Sequence, residues 1–212
     1  MLYIFDMDGT LLDSMGYWKI CNRKVLESYR YPMNPEVAAK IRVISSRDTS
    51  NLVEEAGLDS SDNAFARFLQ YMDEYYATEI LPRPGAREYL ERLTDAGHVC
   101  VMASATPMDN VKRALDKAGL LKYFTAVYDT TSFGCGKGKT EFFTRLCALH
   151  GCAPEDSVLV EDSFYSMNTA RKLGMHTIGI AEDVYTRTPG LTEKVKSVSD
   201  EYYTDFTELI KQ

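Results

Sequence analysis

From residue 85 onward the chain alternates helix-patterned stretches with short apolar runs, and that alternation admits few folds. Ala86 to Ala96 predicts a helix ended by Gly97, and His98 to Ala103 a strand. Asp109 to Ala118 predicts a helix closed by Gly119, which suits a left-handed C-cap. Thr125 to Tyr128 reads as a strand, Thr140 to His150 as a helix ended by Gly151, and Ser157 to Val160 as a strand. Ser166 to Leu173 reads as a helix ended by Gly174, followed by a strand over His176 to Ile180. A short strand near Tyr202-Tyr203 and a helix from Phe206 complete the pattern. Strands that alternate with helices form a parallel sheet covered on both faces, because each crossover lays its helix against the sheet.

One further strand, Leu2-Tyr3-Ile4-Phe5, stands apart at the start of the chain. It is too short for a helix and runs into Asp-Gly, a turn signal. Between it and residue 85 lies a block of different texture. Apolar residues recur there at spacings of three and four, most clearly in Phe65, Phe68, Leu69 and Met72. The block also holds Trp18, Ile20, Val25, Leu26, Val37, Ile41, Val43, Leu52 and Val53, and it breaks at Pro32 to Pro35. Leu81-Pro82-Arg83-Pro84-Gly85 ends it. The expected organisation is an α/β domain of residues 1–13 and 82–212, with an all-helical insert over 14–81. Trp18 is expected to pack in the core of that insert.

The bulk properties exclude several classes. At 212 residues the chain fits one large domain or a domain with an insert. A net charge of −7 argues against nucleic-acid binding, which needs a basic face, but permits small anionic substrates. No apolar stretch is long enough to span a bilayer, so no membrane partner is expected, and no signal peptide is legible. The cysteines, Cys21, Cys100, Cys135, Cys147 and Cys152, lack zinc-ligand spacing, and reduced thiols in the cytoplasm are expected. Cys100 reads as core, and Cys135, between Gly134 and Gly136, as exposed. His98, His150 and His176 lie at strand starts or a helix end and receive no chemistry.

Parallel sheets place ligands at the C-terminal ends of their strands, so the residues that follow each strand matter most. Asp6-Met7-Asp8-Gly9-Thr10 follows the first. Side chains two apart on a strand share a side, so Asp6 and Asp8 converge at roughly 6–7 Å along the chain. Two carboxylates held so close need a cation or a shared proton. Ser104 and Thr106 follow the second strand, Lys137 and Lys139 the third, and Glu161-Asp162 the Ser157–Val160 strand. Acids, a hydroxyl and a lysine on one sheet edge match metal-assisted phosphoryl transfer.

With these motifs in view, the chain resembles the haloacid dehalogenase superfamily, in its β-phosphoglucomutase and phosphoglycolate phosphatase-like subgroup with a helical cap. Asp6-Met7-Asp8-Gly9-Thr10-Leu11-Leu12-Asp13-Ser14 is similar to the first family motif without a gap, Ser104 to the second, Lys137 to the third and Glu161-Asp162-Ser163 to the fourth. The resemblance implies a Rossmann-like doubly wound parallel sheet with an inserted helical cap. It implies that Asp6 is the nucleophile and Asp8 the general acid and base. It implies Mg²⁺ held by Asp6, the Asp8 carbonyl and Asp162, with Glu161 ligating directly or through water. Thr10, Ser104, the Ala105 amide and Lys137 would serve the phosphate. Family members often carry Lys-Pro-x-Pro at the third motif; here Lys137-Gly138-Lys139-Thr140 lacks both prolines, and Lys139 stands as the alternative. Ser46-Arg47-Asp48 resembles a stretch of mutase-like caps whose arginine meets a distal phosphate, which makes Arg47 a candidate specificity residue.

The expected activity is Mg²⁺-dependent hydrolysis of a small phosphorylated metabolite, a sugar phosphate or phosphoglycolate-like compound, through an aspartyl phosphate. Thr10 favours hydrolysis over the mutase alternative, since mutase-like relatives often carry valine there. A non-catalytic binding or regulatory protein on the same fold is the third reading, against which the intact Asp6, Asp8 and Asp162 speak. The chain is expected to be a monomer or weak homodimer.

Overall fold

The computed structural model describes residues 1–41, 44–77, 80–182 and 190–211. In chain order its principal elements are β1 (Leu2–Phe5), α1 (Met15–Ser28), α2 (Pro35–Lys40), α3 (Ser46–Glu55), α4 (Ser61–Tyr76), α5 (Ala86–Asp95), β2 (Val99–Ser104), α6 (Met108–Lys117), β3 (Ala126–Asp129), α7 (Thr140–Leu149), β4 (Ser157–Glu161), α8 (Phe164–Lys172), β5 (His176–Ile180), α9 (Leu191–Lys196), β6 (Glu201–Tyr203) and α10 (Phe206–Leu209). The chain forms two compact units, one of Met1–Asp13 with Leu81–Gln212 and one of Ser14–Ile80. Among the described residues, no helix is long and apolar enough to cross a membrane.

The first unit is a six-stranded, wholly parallel sheet of order β3-β2-β1-β4-β5-β6. β1, Leu-Tyr-Ile-Phe and free of charge throughout, lies in the middle of the sheet between β2 and β4, where a parallel strand is buried on both faces. Alternation along the strands assigns the two faces. Leu2, Ile4, Val101, Ala103 and Leu159 join one apolar cluster with Phe142, Phe143 and Leu146 of α7, Met167 and Ala170 of α8, and Val195 of α9. On the other face Phe5 meets Tyr89 of α5 and Phe124 edge-on at 6.3 and 5.9 Å, and Tyr89 meets Phe206 of α10 at 5.6 Å. Cys135, expected to be exposed, is buried in the first cluster, and Cys100 is buried as expected. The flanking glycines describe the backbone at Cys135, not where its side chain goes.

Leu81 belongs with the sheet and not with the insert. Asp13 N–H donates to the Leu81 carbonyl at 3.0 Å, and Arg83 N–H donates to the Leu11 carbonyl at 2.8 Å. An antiparallel bridge joins Leu12 to Pro82. The segments that leave and re-enter the sheet unit are therefore tied to each other by backbone bonds. Gly85, with φ +77°, starts α5 under the chain of α10, where a Cβ would stand 2.6 Å from Thr207 N.

The second unit holds α1 to α4. Ser45 and Ser60 cap α3 and α4, accepting from Asp48 N–H at 3.0 Å and Asn63 N–H at 3.2 Å. Trp18 packs edge-on against Phe68 at 5.1 Å, and its indole N–H donates to Tyr76 Oη at 3.3 Å. Phe68 and Met72 are buried, whereas Ile20 of the expected stripe is 46 % exposed. Val43, read into the same stripe, lies outside the described residues.

Candidate active site

Asp6 is placed by the sheet. Its N–H donates to the Val160 carbonyl at 3.0 Å, which carries the β1–β4 ladder one residue past β1 and brings Asp6 beside Glu161. The chain then turns sharply. Leu11 and Leu12 N–H both donate to the Met7 carbonyl, at 3.0 and 2.9 Å, and Gly9 takes φ +82°, a left-handed conformation that suits glycine. This turn returns Thr10 to the sheet edge, where its hydroxyl donates to Asp162 Oδ1 at 3.2 Å.

The β3–α7 loop supplies the cation. Phe133, Cys135 and Lys137 are buried while Gly134, Gly136 and Gly138 between and after them are exposed. Burial at every second residue means the loop anchors two apolar side chains in the core and drives the third inward with them. Lys137 Nζ donates to Asp6 Oδ1 at 2.5 Å and to Glu161 Oε2 at 3.3 Å, and its side chain is only 2 % exposed. Lys139 is exposed at the start of α7. The structure thus places Lys137, and not Lys139, against the acids.

Asp6, Glu161 and Asp162 each offer a carboxylate oxygen within 4.8 Å of the others, and all three are buried. Ser163 Oγ–H donates to Glu161 Oε1 at 2.6 Å. Burial first, and then the neighbouring Asp6 carboxylate, push the Glu161 carboxyl up to about 7 against the pull of Lys137. Burial, Glu161, Asp6 and Glu182 hold Asp162 well above the usual carboxylate range. Burial alone would pull the Lys137 ammonium down; Asp6 and Glu161 outweigh it and hold it well above its ordinary value. Three hard oxygen donors facing one ammonium leave excess negative charge in a dry site. That donor set fits a hard divalent cation such as Mg²⁺, since only another positive charge lets all three acids ionise together.

The carboxylate of Asp8 is held elsewhere on the same edge. Thr106 Oγ1–H donates to Asp8 Oδ2 at 2.8 Å, and Thr106 N–H donates to Ser104 Oγ at 3.0 Å. Ser104 is buried at the end of β2, and Ala105 beside it is exposed. The structure therefore brings Asp6, Asp8, Thr10, Ser104, Ala105, Lys137, Glu161 and Asp162 to the C-terminal edge of one sheet. Arg47 lies on α3 in the helical unit, where it donates to Asp62 at 2.8 Å and sits 4.0 Å from the centre of the Phe65 ring. Thr106, placed after β2 from sequence but given no role there, lies at the same edge, and so does Glu182, which the sequence reading missed and which is buried just past β5. The rule used for the other loops, polar residues following a strand, would have found Glu182 as well.

Comparison with known proteins accords with this geometry. The chain is 27 % identical over 177 residues to the phosphorylated carbohydrates phosphatase of Thermotoga maritima, covering 82 % of each chain. It is 25 % identical over 190 residues to a phosphoglycolate phosphatase of Vibrio parahaemolyticus, covering 84 % of this chain and 82 % of that one. The crystal structure of a conserved haloacid dehalogenase-like protein from Agrobacterium tumefaciens shares the fold with a TM-score of 0.77 at 24 % identity, covering 99 % of this chain and 96 % of that one. Residues 3–180, most of the sheet unit and all of the helical one, match the family of haloacid dehalogenase-like hydrolases, and the chain belongs to that family.

Proposed function

We propose that this protein is a Mg²⁺-dependent phosphatase that hydrolyses a small phosphorylated metabolite through an aspartyl phosphate on Asp6. The observation that carries the reading is the placement of Asp6, buried in a three-acid cluster with Lys137 bonded to it at 2.5 Å. The relatives act, by their names, on phosphorylated carbohydrates and on phosphoglycolate, and those two classes are the substrates carried over here.

The steps follow from the residues. An Asp6 carboxylate oxygen attacks phosphorus while the bond to the leaving oxygen breaks. Asp8, as the acid, protonates that oxygen, and then as the base takes a proton from the water that attacks the acyl phosphate. The second attack breaks the bond between phosphorus and Asp6 and releases inorganic phosphate. Lys137 holds the nucleophile in place and offsets charge on the transferring group; Ser104 Oγ and the Ala105 amide donate to its oxygens. Asp6, the Asp8 carbonyl and Asp162, with Glu161 beside them, would hold Mg²⁺, which would supply positive charge between the anionic nucleophile and the anionic phosphate. Arg47 stands as the candidate for recognising the distal end of the substrate, by the fit of its planar fork to anionic oxygens.

The test is Asp6→Asn, which keeps shape and removes the nucleophile. Wild-type protein with Mg²⁺ should release phosphate from p-nitrophenyl phosphate, and the variant should not. Undiminished release by a folded Asp6→Asn protein overturns the assignment.

A further inference from the structure

We propose that Thr106 is a positioning residue for the proton transfer to the leaving group, acting by fixing the carboxylate of Asp8. The inference rests on the reading of Asp8 as the acid and goes beyond it in naming what aims that acid. Three observations on the sheet edge support it. The Thr106 hydroxyl donates to Asp8 Oδ2 at 2.8 Å, the usual length of an O–H···O hydrogen bond. Thr106 and Asp8 are 2 % and 8 % exposed, so water competes little for that bond. The donor is itself fixed, because the Thr106 N–H donates to Ser104 Oγ at 3.0 Å, and Ser104 ends a central strand.

The consequence is geometric. A carboxylate on a turn rotates freely about its terminal torsion, whose energy profile is broad. A hydrogen bond at one oxygen stops that rotation and sets the direction of the other. A hydroxyl donor suits both states through which the acid must pass: with the proton on Oδ1, Oδ2 still accepts from Thr106, and after the proton has left it accepts more strongly. Thr106 thus keeps the acid aimed through the whole cycle without exchanging a proton itself. The same bond links the Ser104 loop, which serves the phosphate, to the group that serves the leaving oxygen.

A positioning role for the acid makes a prediction that a structural role does not. Nitrophenolate leaves phosphorus without needing a proton, whereas phenolate depends on one more heavily, and p-nitrophenyl and phenyl phosphate have nearly the same shape. Thr106→Val keeps the side-chain volume and removes the hydroxyl. Its kcat/KM for phenyl phosphate should fall about 10-fold or more, a part of what a positioned general acid contributes, while kcat/KM for p-nitrophenyl phosphate falls less than about 2-fold. The comparison is made in kcat/KM because that quantity ends at formation of the aspartyl phosphate, before Asp8 serves as the base in the step both substrates share. Thr106→Ser keeps the hydroxyl and should restore the phenyl phosphate rate, which separates the hydrogen bond from the methyl group even if the valine variant folds poorly. Equal losses on the two substrates, or failure of serine to restore the rate, overturn the proposal. Asp8→Asn tests the underlying reading separately. If it leaves the phenyl phosphate rate intact, Asp8 is not the acid; if it abolishes that rate while Thr106→Val does not alter the ratio, the acid stands and the role of Thr106 falls.

Discussion

Replacing Lys137 by Met should destabilise the metal-free protein by about 3–5 kcal/mol, the usual cost of removing one partner of a buried ion pair. The magnitude follows from what is left behind. Lys137 is 2 % exposed and is bonded to Asp6 and Glu161, whose side chains are 8 % and 1 % exposed. Methionine has nearly the length of lysine, so little packing is lost, but two buried carboxylates lose their counter-charge beside Asp162. The assay is urea unfolding in EDTA, followed by far-ultraviolet circular dichroism. The single tryptophan, Trp18, lies in the helical unit and would report on that unit instead. Lys139→Met is the internal control: its side chain is exposed, and the change should stay within about 0.5 kcal/mol. Saturating Mg²⁺ should narrow the gap between wild type and Lys137→Met, since a bound cation takes over part of the compensation. If the two lysine variants prove equally stable in EDTA, Lys137 does not compensate the acids and the electrostatic account of the site fails.

The acids also set a pH dependence. Burial and the Asp6 charge push the Glu161 carboxyl up to about 7, and cation binding requires its ionised form, so binding must expel a proton. Mg²⁺ affinity measured by calorimetry should therefore rise with pH, by about tenfold or more between pH 6 and pH 8, and Glu161→Gln should weaken the dependence, leaving the part that comes from Asp162; equal affinities at the two pH values in the wild type would contradict this. Gly85→Ala should cost about 2–4 kcal/mol in urea unfolding, because its Cβ would stand 2.6 Å from Thr207 N and 2.7 Å from Phe206 C, backbone atoms that cannot swing aside. Gly97 has the same φ of +77° with nothing within 4 Å, so Gly97→Ala should cost only about 1–2 kcal/mol; equal losses at the two positions would show that the close approach of α10 is unimportant.

The parts of this protein most legible in its sequence are those where local pattern and tertiary structure demand the same residues. β1 must be apolar to sit at the centre of a parallel sheet, and the acids that follow must lie at its C-terminal edge, so Leu2–Phe5 and Asp6 are readable together. The insert is legible because apolar spacings of three and four recur through it, without the short apolar runs that alternate with helices from residue 85 onward. Legibility failed where the deciding contact is distant along the chain. Lys137 and Lys139 are two residues apart in a glycine-rich loop, and only the anchoring of Phe133 and Cys135 in the core sends the first inward. Thr106 gained its importance from a bond to Asp8, 98 residues away. The start of α8 was expected at Ser166 and lies at Phe164, because Phe164 and Tyr165 are exposed aromatics that carry no inward stripe. Helix α9 carries one buried residue, Val195, too little apolar signal in six residues to declare a helix.

The most direct test of the account is to find the phosphoryl group on Asp6 during turnover. Protein quenched while hydrolysing p-nitrophenyl phosphate with Mg²⁺, reduced with borohydride and digested, should yield residue 6 as homoserine by peptide mass spectrometry, since borohydride reduces an acyl phosphate and spares a free carboxylate. Phosphate release from the same sample with residue 6 unmodified, or with the label at another acid, would contradict the covalent mechanism.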